Sequence, residues 1–86
     1  MSMSESVIVT VRCADYGIEI DLELPTGLII KDLRGKILDI LKTLYPEEFE
    51  TWPDCRILCS YRVLKDDESL ADLGAGDGQY LEIIKI

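Results

Sequence analysis

Seventeen carboxylates and no histidine set the limits on what this 86-residue chain could do chemically. Asp66-Asp67-Glu68 is the densest acidic group. Neighbouring carboxylates do acid–base work only when burial or a charged neighbour separates their pKa values. This group falls on a turn between polar residues, where the acids stay ionised and solvated. Its spacing also fails as a calcium loop, which needs oxygen ligands at alternate positions, a central Gly and a terminal Glu. Gly74-Ala75-Gly76-Asp77-Gly78 is glycine-rich, but it precedes a strand and lacks the helix N-terminus that would hold a phosphate. Nucleophilic catalysis has no histidine to serve as base. Cys13, Cys55 and Cys59 make an odd count with no CxxC, which fits a reducing compartment. With no histidine and one further thiol, Cys55 and Cys59 are expected as small buried or half-buried residues rather than metal ligands. The chain is therefore expected to be no enzyme, with no catalytic residues, no metal and no cofactor.

The bulk properties narrow the partner. A formal net charge of −8 argues against nucleic acid, because phosphate binding needs clustered Lys and Arg. The same charge disfavours anionic membrane surfaces. No apolar run approaches the roughly 18 residues of a membrane span, so direct membrane insertion is not expected. The opening MSMSES lacks the basic and apolar regions of a signal peptide, which with the thiols points to the cytoplasm. A protein partner is what remains.

The elements that would position any docking residues follow from periodicity. Residues 1–6 are polar and expected as a flexible lead-in to one domain over 7–86. Val7 to Cys13 is β-branched and alternating, with Val7, Val9 and Val11 inward. Ala14-Asp15-Tyr16-Gly17 is a tight connection in which Gly17 can supply a positive φ. From Ile18 to Leu24, aliphatics alternate with Glu19, Asp21 and Glu23, so one face is core and the other acidic and solvated. These segments predict a hairpin, 7–13 with 18–24.

Ile30, Leu33, Ile37, Ile40, Leu41 and Leu44 recur at helical spacing and predict one helix over about 29–44, with Leu38 its exposed exception. Its start has no good cap in Leu28-Ile29; Tyr45-Pro46 ends it. The acidic stretch from Glu47 to Asp54 is expected as an irregular connection pinned by Phe49 and Trp52. Strands are expected at 55–61, 63–65 and 79–85, with Ile57, Cys59, Leu81 and Ile83 inward. Ser69 to Leu73 is expected as one helical turn, with Ser69 and Asp72 forming an acidic variant of the capping box. The order predicts an α+β fold: a mixed sheet of four to five strands covered by one helix, with the first and last strands parallel at its centre.

Alternation then singles out the outer face of that sheet. Leu58 and Ile84 are aliphatics at positions that should meet solvent, and Arg12, Arg56 and Tyr80 share their face. A mixed apolar and basic patch on an acidic protein suggests a docking site.

Several segments together resemble ubiquitin: Ile30-x-x-Leu33-x-x-x-Ile37, Arg56-Ile57-Leu58, the run from Leu64 to Leu73 (LKDDESLADL), and Gly78-Gln79-Tyr80-Leu81-Glu82-Ile83. The resemblance covers nearly the whole chain from about Val7 and implies the ubiquitin-like β-grasp fold. The hairpin from Asp15 to Pro25 and the ending on Leu81-Glu82-Ile83-Ile84 look more like the small ubiquitin-like proteins of bacterial type VII secretion, the YukD/EsaB-like group. That likeness implies a non-conjugated accessory protein acting on cytosolic domains of a secretion machine. The same kind of domain also occurs as the cytosolic part of a membrane component of such systems.

Conjugation and sulfur transfer need a flexible tail ending in Gly-Gly, whereas this chain ends Ile84-Lys85-Ile86. A modifier or sulfur carrier with its tail missing is the alternative. Ubiquitin's apolar recognition patch falls here on Leu58 and Ile84, with Glu82 where that patch has a histidine. The expected docking set is thus Arg12, Arg56, Leu58, Tyr80, Glu82 and Ile84.

Overall fold

The computed structural model describes residues 5–86. Five strands form one sheet: β1 (Ser6–Cys13), β2 (Ile18–Pro25), β3 (Cys55–Cys59), β4 (Arg62–Val63) and β5 (Tyr80–Lys85), in the order β2-β1-β5-β3-β4. Helix α1 (Ile30–Leu44) follows the first hairpin, and a single-turn helix α2 (Pro46–Phe49) follows it directly. β5 lies in the middle of the sheet, parallel to β1 and antiparallel to β3. The expected α+β arrangement, with first and last strands parallel at the centre, is the one observed. The lead-in expected over 1–6 falls outside the described residues over 1–4. Its last residue, Ser6, already pairs in β1 opposite Pro25.

Period-two alternation builds the core. Val9, Val11 and Cys13 of β1, Ile57 and Cys55 of β3, and Leu81 and Ile83 of β5 all point inward and are buried. Ile30, Leu33, Ile37 and Leu41 of α1 meet them in the same core cluster. The β1–β2 connection carries Gly17 at φ +66, the left-handed conformation that Gly adopts without a Cβ clash.

Where the helix faces differs from expectation at Leu38, Ile40 and Leu44. Leu38 is 5% exposed, not the outward exception, whereas Leu44 is 51% exposed and Ile40 only half-buried. The reason lies in the segment after the helix. Pro46 occupies the first turn of α2, where its missing N–H costs nothing. The α2 turn then packs on α1, and Phe49 and Trp52 join the core fully buried. The helix therefore meets apolar surface from two sides, and its buried arc is wider than a sheet alone would need. The stretch 47–54 is not wholly irregular, but its aromatics do pin it. The Phe49 and Trp52 rings pack edge-to-face at 4.8 Å, and Tyr16 of the hairpin turn stands 5.5 Å from Phe49.

The start of α1 is held without a side-chain cap. Ile29 is the N-cap and contributes no side-chain hydrogen bond. Instead the backbone N–H groups of Ile30 and Lys31 donate to the carbonyls of Glu68 (2.7 Å) and Asp66 (3.1 Å). Arg34, one turn into the helix, pairs with Asp66 and reaches Asp54 at 3.4 Å. Between Ser69 and Gly74 the chain makes consecutive tight bonds, Leu73 N–H to Leu70 C=O and Gly74 N–H to Ala71 C=O. Ser69 and Asp72 form the expected capping box in front of them.

β3 and β4 are shorter than 55–61 and 63–65. Ser60 and Tyr61 form the two-residue loop of their hairpin, with φ of 52° and 68°. β5 starts one residue later than expected.

Candidate docking face

The same alternation that buries one side of β1, β3 and β5 sends Arg12, Arg56, Leu58, Tyr80, Glu82 and Ile84 to the side away from α1. Register brings them together. Arg12 lies opposite Glu82 across β1 and β5, and Glu82 lies opposite Leu58 across β5 and β3. Arg56 lies opposite Ile84, and Leu58 opposite Val63 of β4. A row Glu19–Arg12–Glu82–Leu58–Val63 thus crosses the sheet. All six residues expected from the sequence share this face. Ile84 is 39% exposed and Tyr80 53%, while Leu58 is half-buried.

A shallow depression of about 240 Å³ lies between Arg12, Leu58, Tyr61, Tyr80 and Glu82. Its lining mixes the aliphatic side chain of Leu58 with aromatic and charged residues. Arg12 pairs with Glu19 at 3.7 Å, both half-exposed. Arg56 is exposed and pairs with no carboxylate among the described residues. The surface therefore mixes aliphatic and charged side chains, with one guanidinium committed and one free among the described residues.

Tyr61 belongs to this face and was not expected there. It is 96% exposed, and it sits in the left-handed region that costs a non-glycine residue about 1–2 kcal/mol. A two-residue hairpin loop with both φ values positive usually takes Asn-Gly, and Ser60-Tyr61 gives no such signal. Val63, 43% exposed on the next strand, joins it. Ile8, 50% exposed further along β1, lies on the same side. Its strand is clasped from below, since its N–H donates to Asp77 Oδ1 at 2.9 Å and its carbonyl accepts from Gly78.

The acidic turn 66–68 is partly structural. Asp66 and Asp67 are exposed, but Glu68 folds back to accept from both Arg62 guanidinium nitrogens at 3.0 and 3.1 Å. That fork, followed by the Lys65 backbone N–H at 2.6 Å, holds the Glu68 carboxyl below its ordinary range. Arg62 is correspondingly raised by its bond to Glu68. Gly74 and Gly78 sit at φ +68 and +86, which is turn chemistry in the 74–78 segment. Cys13 and Cys55 are buried and Cys59 is half-buried; all three thiols are free. Among the described residues no three His, Cys, Asp or Glu side chains converge as a metal set. No helix among them is long and apolar enough to cross a membrane.

Comparison with known proteins gives this geometry a setting. The family model described as "WXG100 protein secretion system (Wss), protein YukD" matches residues 6–83. None of the curated proteins compared with the chain matches it. Among solved structures, Caldiarchaeum subterraneum ubiquitin is similar at 26% identity and TM-score 0.70, over 94% of each chain. The EccD5 ubiquitin-like domain from Mycobacterium xenopi is similar at 18% identity and TM-score 0.76, over 96% of this chain and 97% of that one. A chain of the MycP5-free ESX-5 inner membrane complex aligns at 20% identity and TM-score 0.78, over 96% of this chain but 21% of its own length. The fold is a ubiquitin-like β-grasp, as the resemblance to ubiquitin implied.

Proposed function

The chain belongs to the YukD family of the WXG100 protein secretion system, and from that premise we propose that it is a non-catalytic, non-conjugated adaptor. It docks cytosolic protein segments of such a system on the outer face of its sheet. The observation that carries this reading is the register that sets Leu58 and Ile84 on neighbouring strands, bordered by Arg12, Arg56 and Tyr80. A segment that places an aliphatic residue over Leu58 and Ile84 and carboxylates beside Arg56 would match this surface. The half-exposed aliphatics would supply most of the binding energy and the arginine most of the orientation. The non-catalytic part of the reading rests on the absence of any histidine base. Three free thiols support a reducing compartment such as the cytoplasm.

The test compares wild type with a Leu58→Asp, Ile84→Asp variant as bait in the native host. Both substitutions lie on the solvent side of the sheet, and circular dichroism checks that folding is retained. Secretion-system proteins recovered by wild type and lost by the folded variant support the docking face. Equal recovery by both removes it. Intact-mass analysis of the native protein tests the non-conjugated part: a C-terminal acyl adduct or thiocarboxylate would replace it with a modifier or sulfur carrier.

A second reading is the cytosolic ubiquitin-like domain of a larger secretion component. The fold likeness to 21% of an ESX-5 inner membrane complex chain favours it. The size of the native polypeptide on an immunoblot separates the two.

A further inference from the structure

We propose that β2 is a pairing edge for an extended partner segment that alternates basic and aliphatic residues. β2 is the outermost strand of the sheet, eight residues long, and it pairs with β1 from Ser6–Pro25 to Cys13–Ile18 without a bulge. No strand among the described residues pairs with its other side. A long, regular, uncovered edge presents a row of backbone donors and acceptors ready to receive another strand.

The two faces of β2 specify what that strand would carry. On the inner face Ile18, Ile20 and Leu22 are only half-buried, although their β1 neighbours Val9, Val11 and Cys13 are fully buried. They pack against the core cluster, in which Leu24 of the same strand is fully buried, but they lie at the margin of the sheet with no strand among the described residues on their outer side. Aliphatic surface therefore remains to be covered beside the free edge. On the outer face Glu19, Asp21 and Glu23 stand exposed at every second position, about 6–7 Å apart. Glu19 has Arg12, whereas Asp21 and Glu23 accept from the hydroxyls of Thr10 (2.7 Å) and Ser6 (2.6 Å). Among the described residues, two of the three negative charges thus have no cation.

Residues directly opposite in paired strands share a face. An incoming strand therefore meets Ile18, Ile20 and Leu22 with one set of side chains and Glu19, Asp21 and Glu23 with the other. Aliphatics suit the first set, Lys or Arg the second. A second copy of this chain is a poor occupant, since edge-to-edge pairing of two β2 strands would set acids against acids. The acids thus protect the edge from self-pairing and select a basic partner by the same charges. This surface stands apart from Leu58 and Ile84, so either proposal can fail without the other.

The test titrates isotope-labelled protein with a capped peptide alternating Lys and Val, matched to the eight-residue length of β2. A peptide alternating Glu and Val, and one with the same lysines and valines in two blocks, serve as comparisons. Support consists of amide shifts and gained exchange protection confined to 18–25, weakened by salt. Exchanging Glu19→Lys, Asp21→Lys and Glu23→Lys together should weaken the Lys–Val peptide by at least about tenfold and transfer preference to the Glu–Val peptide. If that variant does not fold, Glu19→Gln, Asp21→Asn and Glu23→Gln keep hydrogen-bonding groups while removing charge. They should show the same loss without the transfer. Equal binding of the blocked peptide, shifts centred on Leu58 and Ile84, or indifference to these variants would overturn the proposal. So would concentration-dependent protection of 18–25 in the protein alone, which would make the occupant a second copy.

Discussion

Trp52 donates its indole N–H to the Tyr16 hydroxyl at 3.1 Å, joining the segment after α1 to the turn of the first hairpin. Trp52 is 1% exposed, so this donor has little access to water if Tyr16 is lost. Tyr16→Phe keeps the ring beside Phe49 and removes only the acceptor. It should lower stability by about 1 kcal/mol. Trp52→Ala removes the ring from the core and should cost about 3–5 kcal/mol. Urea denaturation measures both, and a Tyr16→Phe protein as stable as wild type would show that water replaces the hydroxyl.

Tyr61 links backbone strain to the proposed docking face. Tyr61→Gly relieves the left-handed conformation at φ 68° and removes an exposed ring. Thermal stability should rise by about 1 kcal/mol. Capture of partners in the same pull-down should fall. If both stability and capture decline, the loop is structural and the ring has no part in docking.

The helix faces give a paired prediction. Leu38→Ala opens space in the core and should lower stability by about 2–5 kcal/mol. Leu44→Ala, at a half-exposed site, should change it by less than about 0.5 kcal/mol. The reverse order in denaturant midpoints would return the helix to the orientation read from periodicity alone.

This pair also shows how far the sequence reaches. Strand faces were legible because alternation reports burial on one sheet, and the shared outer face of Arg12, Arg56, Leu58, Tyr80, Glu82 and Ile84 follows from it. Leu38 was not, because the core it enters also takes in Phe49 and Trp52 from the segment after α1, and Pro46-Glu47-Glu48-Phe49 is too short to show a helical period. Tyr61 was illegible for a different reason: Ser60-Tyr61 adopts a loop usually marked by Asn and Gly. The start of α1 was legible only as an absence, since Leu28-Ile29 promised no cap and the structure supplies one from a distant loop. The half-covered inner face of β2 depends on its place at the margin of the sheet, which no pattern within β2 records.

Burial, ahead of the Asp54 carboxylate, pushes the Cys55 thiol up to about 11, and burial also raises Cys13. An unfolded cysteine ionises near 9.0. The folded protein therefore keeps a proton that the unfolded chain loses. The stability from Cys55 is fully present below pH 9.0 and declines as pH rises from there through about 11. Stability measured across that window should fall less steeply in Cys55→Ala than in wild type. A thiol reagent at neutral pH should modify Cys59 first, and Cys13 and Cys55 only as the protein opens.

Glu68 works in the opposite direction. Arg62 holds its folded-state pKa below the ordinary value of 4.5. Its contribution is present above that value and is lost as pH falls through the lowered one. Carboxyl titration by NMR should place the Glu68 midpoint below 4.5, and Arg62→Gln should move it back up. An unchanged midpoint in that variant would assign the shift to the Lys65 backbone N–H instead.

The backbone bonds from Ile30 and Lys31 to the carbonyls of Glu68 and Asp66 tie the first turn of α1 to residues more than thirty positions downstream. Without a local cap, an isolated stretch of this length has little means of nucleating. A helix that borrows its opening from a later loop gains the partners of its first N–H groups only once that loop has arrived. Until then water must serve those donors, and the first turn is the part of α1 most ready to fray. The place where the helix begins is thus fixed by residues 66–68 and not by anything next to it in the chain.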